Sequence, residues 1–215
     1  MKLAAPLKVE TMVLGPIGTN CYLLVNEDTK EALIIDPASS ADRIKEKMSE
    51  NGWKPGAILL THGHFDHIGA VDELKKEYQI PVYASKKEKE LIADPSLNGS
   101  DMIRGNIVAH PDTWIDDQDV LALSGITIQV ISTPGHTGGS VCYYLPEQGI
   151  LFSGDTLFAE SVGRTDMPTG SQRQLVDSLV KKLSHLPDDT SVYTGHGEET
   201  TIGYEKKYNP YMGML

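Results

Sequence analysis

The chain has 215 residues, enough for one domain or two small ones with a real hydrophobic core. Hydrophobic residues make up 40% and charged residues 23%, a balance that excludes disordered, collagen-like and disulfide-rich classes. Its 19 Lys+Arg against 30 Asp+Glu leave a formal charge of −11. That excess of acid repels phosphate backbones and argues against a nucleic-acid partner, unless a metal site reverses the sign locally.

In chain order, the first six residues lack the long apolar core of a signal peptide, so a cytoplasmic address is expected. Strand-like runs cover residues 8–14, 21–26 and 32–36, with Gly15, Pro16 and Gly18 turning the chain between the first two. The longest apolar runs, 32–35 and 57–60, are strand-sized and too short to span a bilayer, so no membrane partner is expected. Ser39 and Ser40 are placed to cap a helix over 41–50, with Ile44 and Met48 on one face. A buried strand at 57–60 leads into a His-rich loop, followed by a helix over about 69–78 and a strand at 81–84. Residues 94–112 have no period and contain Pro, Asn and Gly; they read as a long surface loop of the kind that is often functional. Strands follow at 126–132, 140–145 and 149–153, then a helix over 171–183 and a last strand at 191–194. Tyr143 and Tyr144 alternate along a strand, so one of them is expected in the core. Cys21 and Cys142 lie in strand-like runs and read as small buried apolar residues, not as a disulfide framework. Strands separated by helices suggest an α/β layer structure, while hairpin-like neighbours argue against a purely parallel sheet.

The strongest chemical signal is Thr61-His62-Gly63-His64-Phe65-Asp66-His67, in which three of the seven histidines fall within six residues beside a carboxylate. These donor types bind zinc or iron, and the preceding apolar strand delivers them to a sheet edge. Gly63 is expected to let the backbone turn tightly between two ligands. If the loop is extended at 62–64, the rings of His62 and His64 share a side and a metal; Asp66 and His67 then point elsewhere, which suggests a second metal. Three more strand ends carry a turn with a donor: His136 in 132–137, Asp155 in 152–156 and His196 in 192–197. Each alone is an ordinary turn; together they complete a ligand set. His110 and His185 sit outside such turns and read as solvated. Asp36 either orients the ligand loop or a ligand imidazole, or simply makes an Asp-Pro turn. Arg164 either braces the site through Asp166 or binds a substrate carboxylate. Lys206 and Lys207 read as an exposed charge pair.

The order His-x-His-x-Asp-His, Gly-His, Asp, Gly-His resembles the metallo-β-lactamase superfamily, from about Gly18 to Asn209. The resemblance implies an α/β (α+β) fold, a four-layer αβ/βα sandwich with two mixed β-sheets, as a single domain over 1–215 with metals at the edge between the sheets. It assigns His62, His64 and His136 to one metal and Asp66, His67 and His196 to another, with Asp155 bridging and both Asp66 and Asp155 catalytic. The implied cofactors are two divalent ions, zinc first, with iron or manganese suiting the same donors. Gly18-Thr19-Asn20-Cys21-Tyr22, Ile34-Ile35-Asp36-Pro37, Gly163-Arg164-Thr165-Asp166 and the stretch 195–206 are similar to the hydroxyacylglutathione hydrolase (glyoxalase II) branch, in its short bacterial form. No cysteine lies in a ligand turn, which sets β-lactam hydrolysis aside. Nineteen residues follow His196, too few for the helical region with which full-length glyoxalase II contacts glutathione.

The expected activity is hydrolysis of a small-molecule thioester, S-lactoylglutathione or a related acyl-thiol, with hydroxide rather than a side chain as nucleophile. A thioester suits such a site because its thiolate leaves with little need for a general acid. The alternative is a mononuclear iron oxidoreductase: persulfide dioxygenases also carry a Gly-Arg-Thr-Asp segment, and would hold iron on His62 or His64, His136 and Asp155. Nucleic-acid-processing relatives add an arm or inserted domain for which this compact chain has no room.

Overall fold

The computed structural model describes residues 6–213; the expectation about a signal peptide rests mainly on residues outside that range. The first sheet begins with β1 (Leu7–Leu14), β2 (Thr19–Asn26) and β3 (Glu31–Ile35), paired antiparallel in that order. After helix α1 (Ala41–Asn51), strand β4 (Lys54–Leu59) adds parallel to β3. Helices α2 (Phe65–Ile68) and α3 (Val71–Tyr78) lead to β5 (Val82–Ser85), and α4 (Lys89–Ala93) and α5 (Pro95–Asn98) precede β6 (Thr113–Ile115). Both β5 and β6 continue the parallel half.

The second sheet contains β7 (Val120–Leu123), β8 (Ile126–Ser132), β9 (Val141–Leu145), β10 (Ile150–Gly154), β11 (Ser191–Thr194) and β12 (Thr200–Thr201). Its order is β12-β11-β10-β9-β8-β7, with β10 and β11 the parallel pair. Helix α6 (Gln172–Lys181) joins β10 to β11, and α7 (Ile202–Tyr208) follows β12.

Three apolar clusters define four layers. Ile44 and Met48 of α1 and Val71 and Leu74 of α3 pack with Leu23, Ile34 and Ile58 on the outer face of the first sheet. Leu24, Leu33 and Leu59 on its inner face meet Ile128, Tyr143 and Phe152 of the second sheet. Cys142, Tyr144 and Leu151 face the other way, toward Leu179 of α6 and Ile202 of α7. Successive side chains of a strand point to opposite faces, so adjacent residues such as Leu23 and Leu24 enter different cores. The two mixed sheets sandwiched between helices are the α/β architecture expected.

Several local expectations need correction. Both Tyr143 and Tyr144 are buried, because the second sheet is covered on both faces. The helix expected over about 69–78 runs from Val71 to Tyr78, and the His-rich loop before it holds a separate short helix, α2; between the two, the Ala70 N–H bonds the Pro37 carbonyl. Ser40 sits at the α1 N-cap in a left-handed conformation, and its side chain makes no capping bond. The segment 94–112 is not wholly irregular: Asp94 accepts from the Ser96 N–H to start α5, with Pro95 in its first turn, and a 3₁₀ turn follows at Ser100–Ile103. Short edge elements β6, β7 and β12 and helix α7 have too few residues to show a period.

The strands that carry donors in their following turns, β4, β8, β10 and β11, all end at one edge of the sandwich. There the Val141 N–H bonds the Thr61 carbonyl and the Asn20 N–H bonds the Gly195 carbonyl at 2.8 Å, lacing the two sheets together. Among the described residues no helix is long and apolar enough to cross a membrane.

Candidate metal centre

The segment after β4 reaches α2 through His64, which is extended with a ψ of 147°. His62 and His64 therefore present their rings to one side, 4.9 Å apart between centroids and perpendicular. The turn after β8 brings His136 against them, with Nε2 2.8 Å from His64 Nδ1. Within the first turn of α2, Asp66 and His67 face His196 from the end of β11. The donor atoms of His62, His64 and His136 lie within 4.8 Å of one another, and so do those of Asp66, His67 and His196. Asp155 stands between these groups, 3.4 Å from His136 Nε2 on one side and 3.3 Å from His67 Nε2 on the other. All seven residues singled out in the sequence converge here.

Hydrogen bonds outside the cluster decide which ring nitrogens carry protons. The Thr61 hydroxyl has one proton and donates it to Asp36 Oδ2 at 2.6 Å. It must therefore accept from His62 Nδ1, 3.1 Å away, which leaves a lone pair on His62 Nε2. Asp36 Oδ2 also accepts from His67 Nδ1 at 2.9 Å, and the Arg164 carbonyl accepts from His136 Nδ1 at 2.7 Å. In the neutral ring, the lone pair of His62, His67 and His136 thus sits on the inward-pointing Nε2. Asp36 takes a third bond from the Thr61 N–H, so it holds the ligand loop as well as the imidazoles. Its group with His62 and His67 is consequently a supporting contact and not a third metal site.

The electrostatics divide along the same line. Burial and the neighbouring imidazoles push His62 far below the usual histidine range and His64 down to about 3. Burial likewise lowers His136. Burial opposes a charge on His67 too, but Asp66, Asp155 and Asp36 outweigh it and raise its pKa well above normal. His196 is raised by its bond to Asp66 and by Asp155, against the same desolvation. Burial disfavours ionised Asp66 and Asp155, yet the facing imidazoles hold both below the ordinary carboxylate range.

This donor set fits divalent cations. His62 Nε2, His67 Nε2 and Asp155 Oδ1 are buried without a hydrogen-bond partner, and His64 turns its Nδ1 toward the same cluster. Unpartnered buried polar atoms are costly, and a cation shared among them removes that cost.

Three supports had little or no signal in the sequence. Glu88, 1% exposed, accepts from the Gly63 N–H and the Gly139 N–H, each at 2.8 Å, and so ties the His62–His64 loop to the turn that carries His136. Its burial raises its pKa against the pull of those same donors. Thr19 donates to Asp66 Oδ2 at 2.9 Å. Gly195 leaves room for Asp155: a Cβ there would overlap Asp155 Oδ1. Gly63 is explained by packing and not by the tight turn expected of it. Its φ is not positive, but a Cβ would lie 2.5 Å from Ile92 and 2.8 Å from Leu91.

The remaining candidates resolve simply. Arg164 pairs with Asp166 through two bonds of 2.6 and 2.7 Å, and also lines the cleft above the cluster. His110 is exposed but bonded to Asp72, and His185 is exposed. Cys21 and Cys142 are buried free thiols. Lys206 is held by Asp188 and the Leu186 carbonyl, and Lys207 lies over the Tyr208 ring.

The model of the metallo-beta-lactamase superfamily matches residues 14–196. The chain is 43% identical to "Probable metallo-hydrolase YqgX" of Bacillus subtilis over 208 residues, 96% of this chain and 98% of that one. It is 35% identical to "Hydroxyacylglutathione hydrolase GloC" of Haemophilus influenzae, over 96% and 98% of the two chains. Among solved structures it is similar to the BLEG-1 B3 metallo-beta-lactamase, with a TM-score of 0.92 and 43% identity over 95% of this chain and 99% of the other. TTHA1623 in a di-iron-bound form follows, with a TM-score of 0.85 and 36% identity over 94% and 100%. ETHE1 from Myxococcus xanthus gives 0.81 and 30% identity over 97% and 86%.

Proposed function

Because the chain belongs to the metallo-β-lactamase superfamily, we propose that it is a binuclear metal-dependent thioesterase acting on a small acyl-thiol. The observation that carries this reading is Asp155 standing between two complete three-residue donor groups. His62, His64 and His136 would hold one divalent ion and Asp66, His67 and His196 the other, with a carboxylate oxygen of Asp155 available to each. When bound, such ions supply Lewis acidity and an activated water.

The chain's own residues do the rest. Asp36, with Thr61, presents the Nε2 lone pairs of His62 and His67, and the Arg164 carbonyl does the same for His136. Thr19 orients Asp66, and Glu88 keeps the two ligand loops at fixed spacing. Among the described residues, those lining the cleft include no Lys, Tyr, Ser or Cys to protonate a poor leaving group. A thiolate needs none, since ordinary thiols have a pKa of about 8.5. Water oxygen adds to the acyl carbon and the C–S bond breaks with its electron pair on sulfur; of the two water protons one ends on that sulfur and the other passes to solvent, leaving a thiol and a carboxylate.

The likeness to a B3 metallo-β-lactamase weakens the cysteine argument against β-lactam hydrolysis, so a β-lactam belongs in the assay. Metal content of protein purified without added metal, measured beside thiol release from S-lactoylglutathione, tests the proposal. Nearly two metals per chain with thiol release is expected. One iron per chain, with oxygen uptake on a persulfide and no thiol release, would replace it with the mononuclear dioxygenase alternative, for which the likeness to ETHE1 speaks.

A further inference from the structure

The cleft above the donor cluster has a volume of about 270 Å³ and a mostly apolar lining. Phe65 and Met167 line it, and so do Ile17, Met102 and Ile103, which are 52%, 69% and 54% exposed. Large apolar side chains this exposed, gathered at the entrance to a reactive site, mark a surface that a ligand covers. Met102 and Ile103 come from the 3₁₀ turn inside the 94–112 segment, to which the metal chemistry gives no role.

Charge points the same way. Apart from histidines, Arg164 is the one cation among the described residues lining the cleft, and Asp166 already occupies its guanidinium with two hydrogen bonds. A glutathione thioester brings two carboxylates to a chain whose formal charge is −11. Carboxylates set against Ile17, Met102 and Ile103 would lose hydration without gaining a partner.

We propose that the Ile17–Met102–Ile103 rim selects thioesters with an uncharged aliphatic acyl group of short to medium length, and that the carrier's charges are not recognised. This rests on the thioesterase reading above. Thiol release is compared for acetyl, butyryl and hexanoyl thioesters of N-acetylcysteamine and for S-lactoylglutathione, using the metal-loaded protein. Expected is a rise in kcat/KM of roughly threefold to fourfold per added methylene until the cleft fills, with hexanoyl above lactoylglutathione. Met102→Ser combined with Ile103→Ser, both at exposed positions, should flatten that series. A chain-length-independent rate, or a preference for lactoylglutathione over every neutral substrate, overturns the inference and leaves the thioesterase reading intact. A rim covered by a second copy of the chain, seen as a dimer that the double variant dissociates, overturns it as well. Calorimetry with the uncleavable ethyl and hexyl thioethers separates the two ideas. Tighter binding of the hexyl compound with no thiol release from any thioester removes the thioesterase reading while supporting the apolar rim; equal binding removes the rim.

Discussion

Replacing Asp36 by Asn exchanges one oxygen for an NH₂ group, and the hydrogen-bond chain converts that into a change at both metal sites. Position 36 has φ 48°, a left-handed conformation that Asn adopts readily, so the backbone tolerates the change. Oδ1 still accepts from the Thr61 N–H. The new amide donor, however, lies where Oδ2 accepted from both Thr61 Oγ1 and His67 Nδ1. His67 must then offer a lone pair at Nδ1 and move its proton to Nε2, which faces Asp155 and Asp66. Thr61 now accepts from the amide and donates to His62 Nδ1, so His62 is forced into the same tautomer. Turning the amide over only exchanges this conflict for one with the Thr61 N–H. Loss of an orienting partner of this kind weakens metal binding by about 10- to 100-fold, or about 1.4 to 2.7 kcal/mol per site. Competition with a chromophoric chelator measures both affinities, with circular dichroism to verify the fold. Wild-type affinity at both sites in Asp36→Asn would refute the tautomer relay.

Glu88→Gln keeps shape and volume but can accept from only one of the Gly63 and Gly139 N–H groups. It should lower unfolding stability by about 1–3 kcal/mol; an unchanged denaturant midpoint would contradict the bracing role. Asp66→Ala should leave one metal bound and remove most hydrolysis, whereas Asp155→Ala should reduce occupancy of both sites; elemental analysis decides, and unchanged metal content in Asp155→Ala would show that it bridges nothing. Metal loading at pH 7 should release protons mainly at the second site. His67, raised well above the usual 6.5, still holds a proton there that a cation must expel, and His196 is shifted in the same direction, while His62, His64 and His136, lowered by burial, are already neutral. Affinity of the second site therefore climbs as pH rises through 7 and that of the first stays nearly flat. Calorimetry in two buffers of different ionisation enthalpy reads the difference, and equal proton release from both sites would contradict it.

The donors were legible in the residue order because metal chemistry restricts the residue types and places them in turns after strands: His62, His64, Asp66, His67, His136, Asp155 and His196 all meet. The period of two along β8 and the 3.6 period of α1 and α3 likewise followed from local sterics and burial. Other features lie beyond any local pattern. Glu88 looks like an ordinary charged residue among lysines until its two partners, 25 and 51 positions away, are brought to its carboxylate. Asp36 read equally well as a turn residue, and only the approach of His67 gave it a role. Gly63 and Gly195 are explained by what packs against them, and the exposure of Met102 and Ile103 over the donors depends on how the 94–112 segment folds back. Composition and spacing thus carry the chemistry that a few bonds impose on neighbours in the chain. Orientation, protonation and selectivity arise from long-range contacts, whose free energies exist only once both sheets have closed on each other.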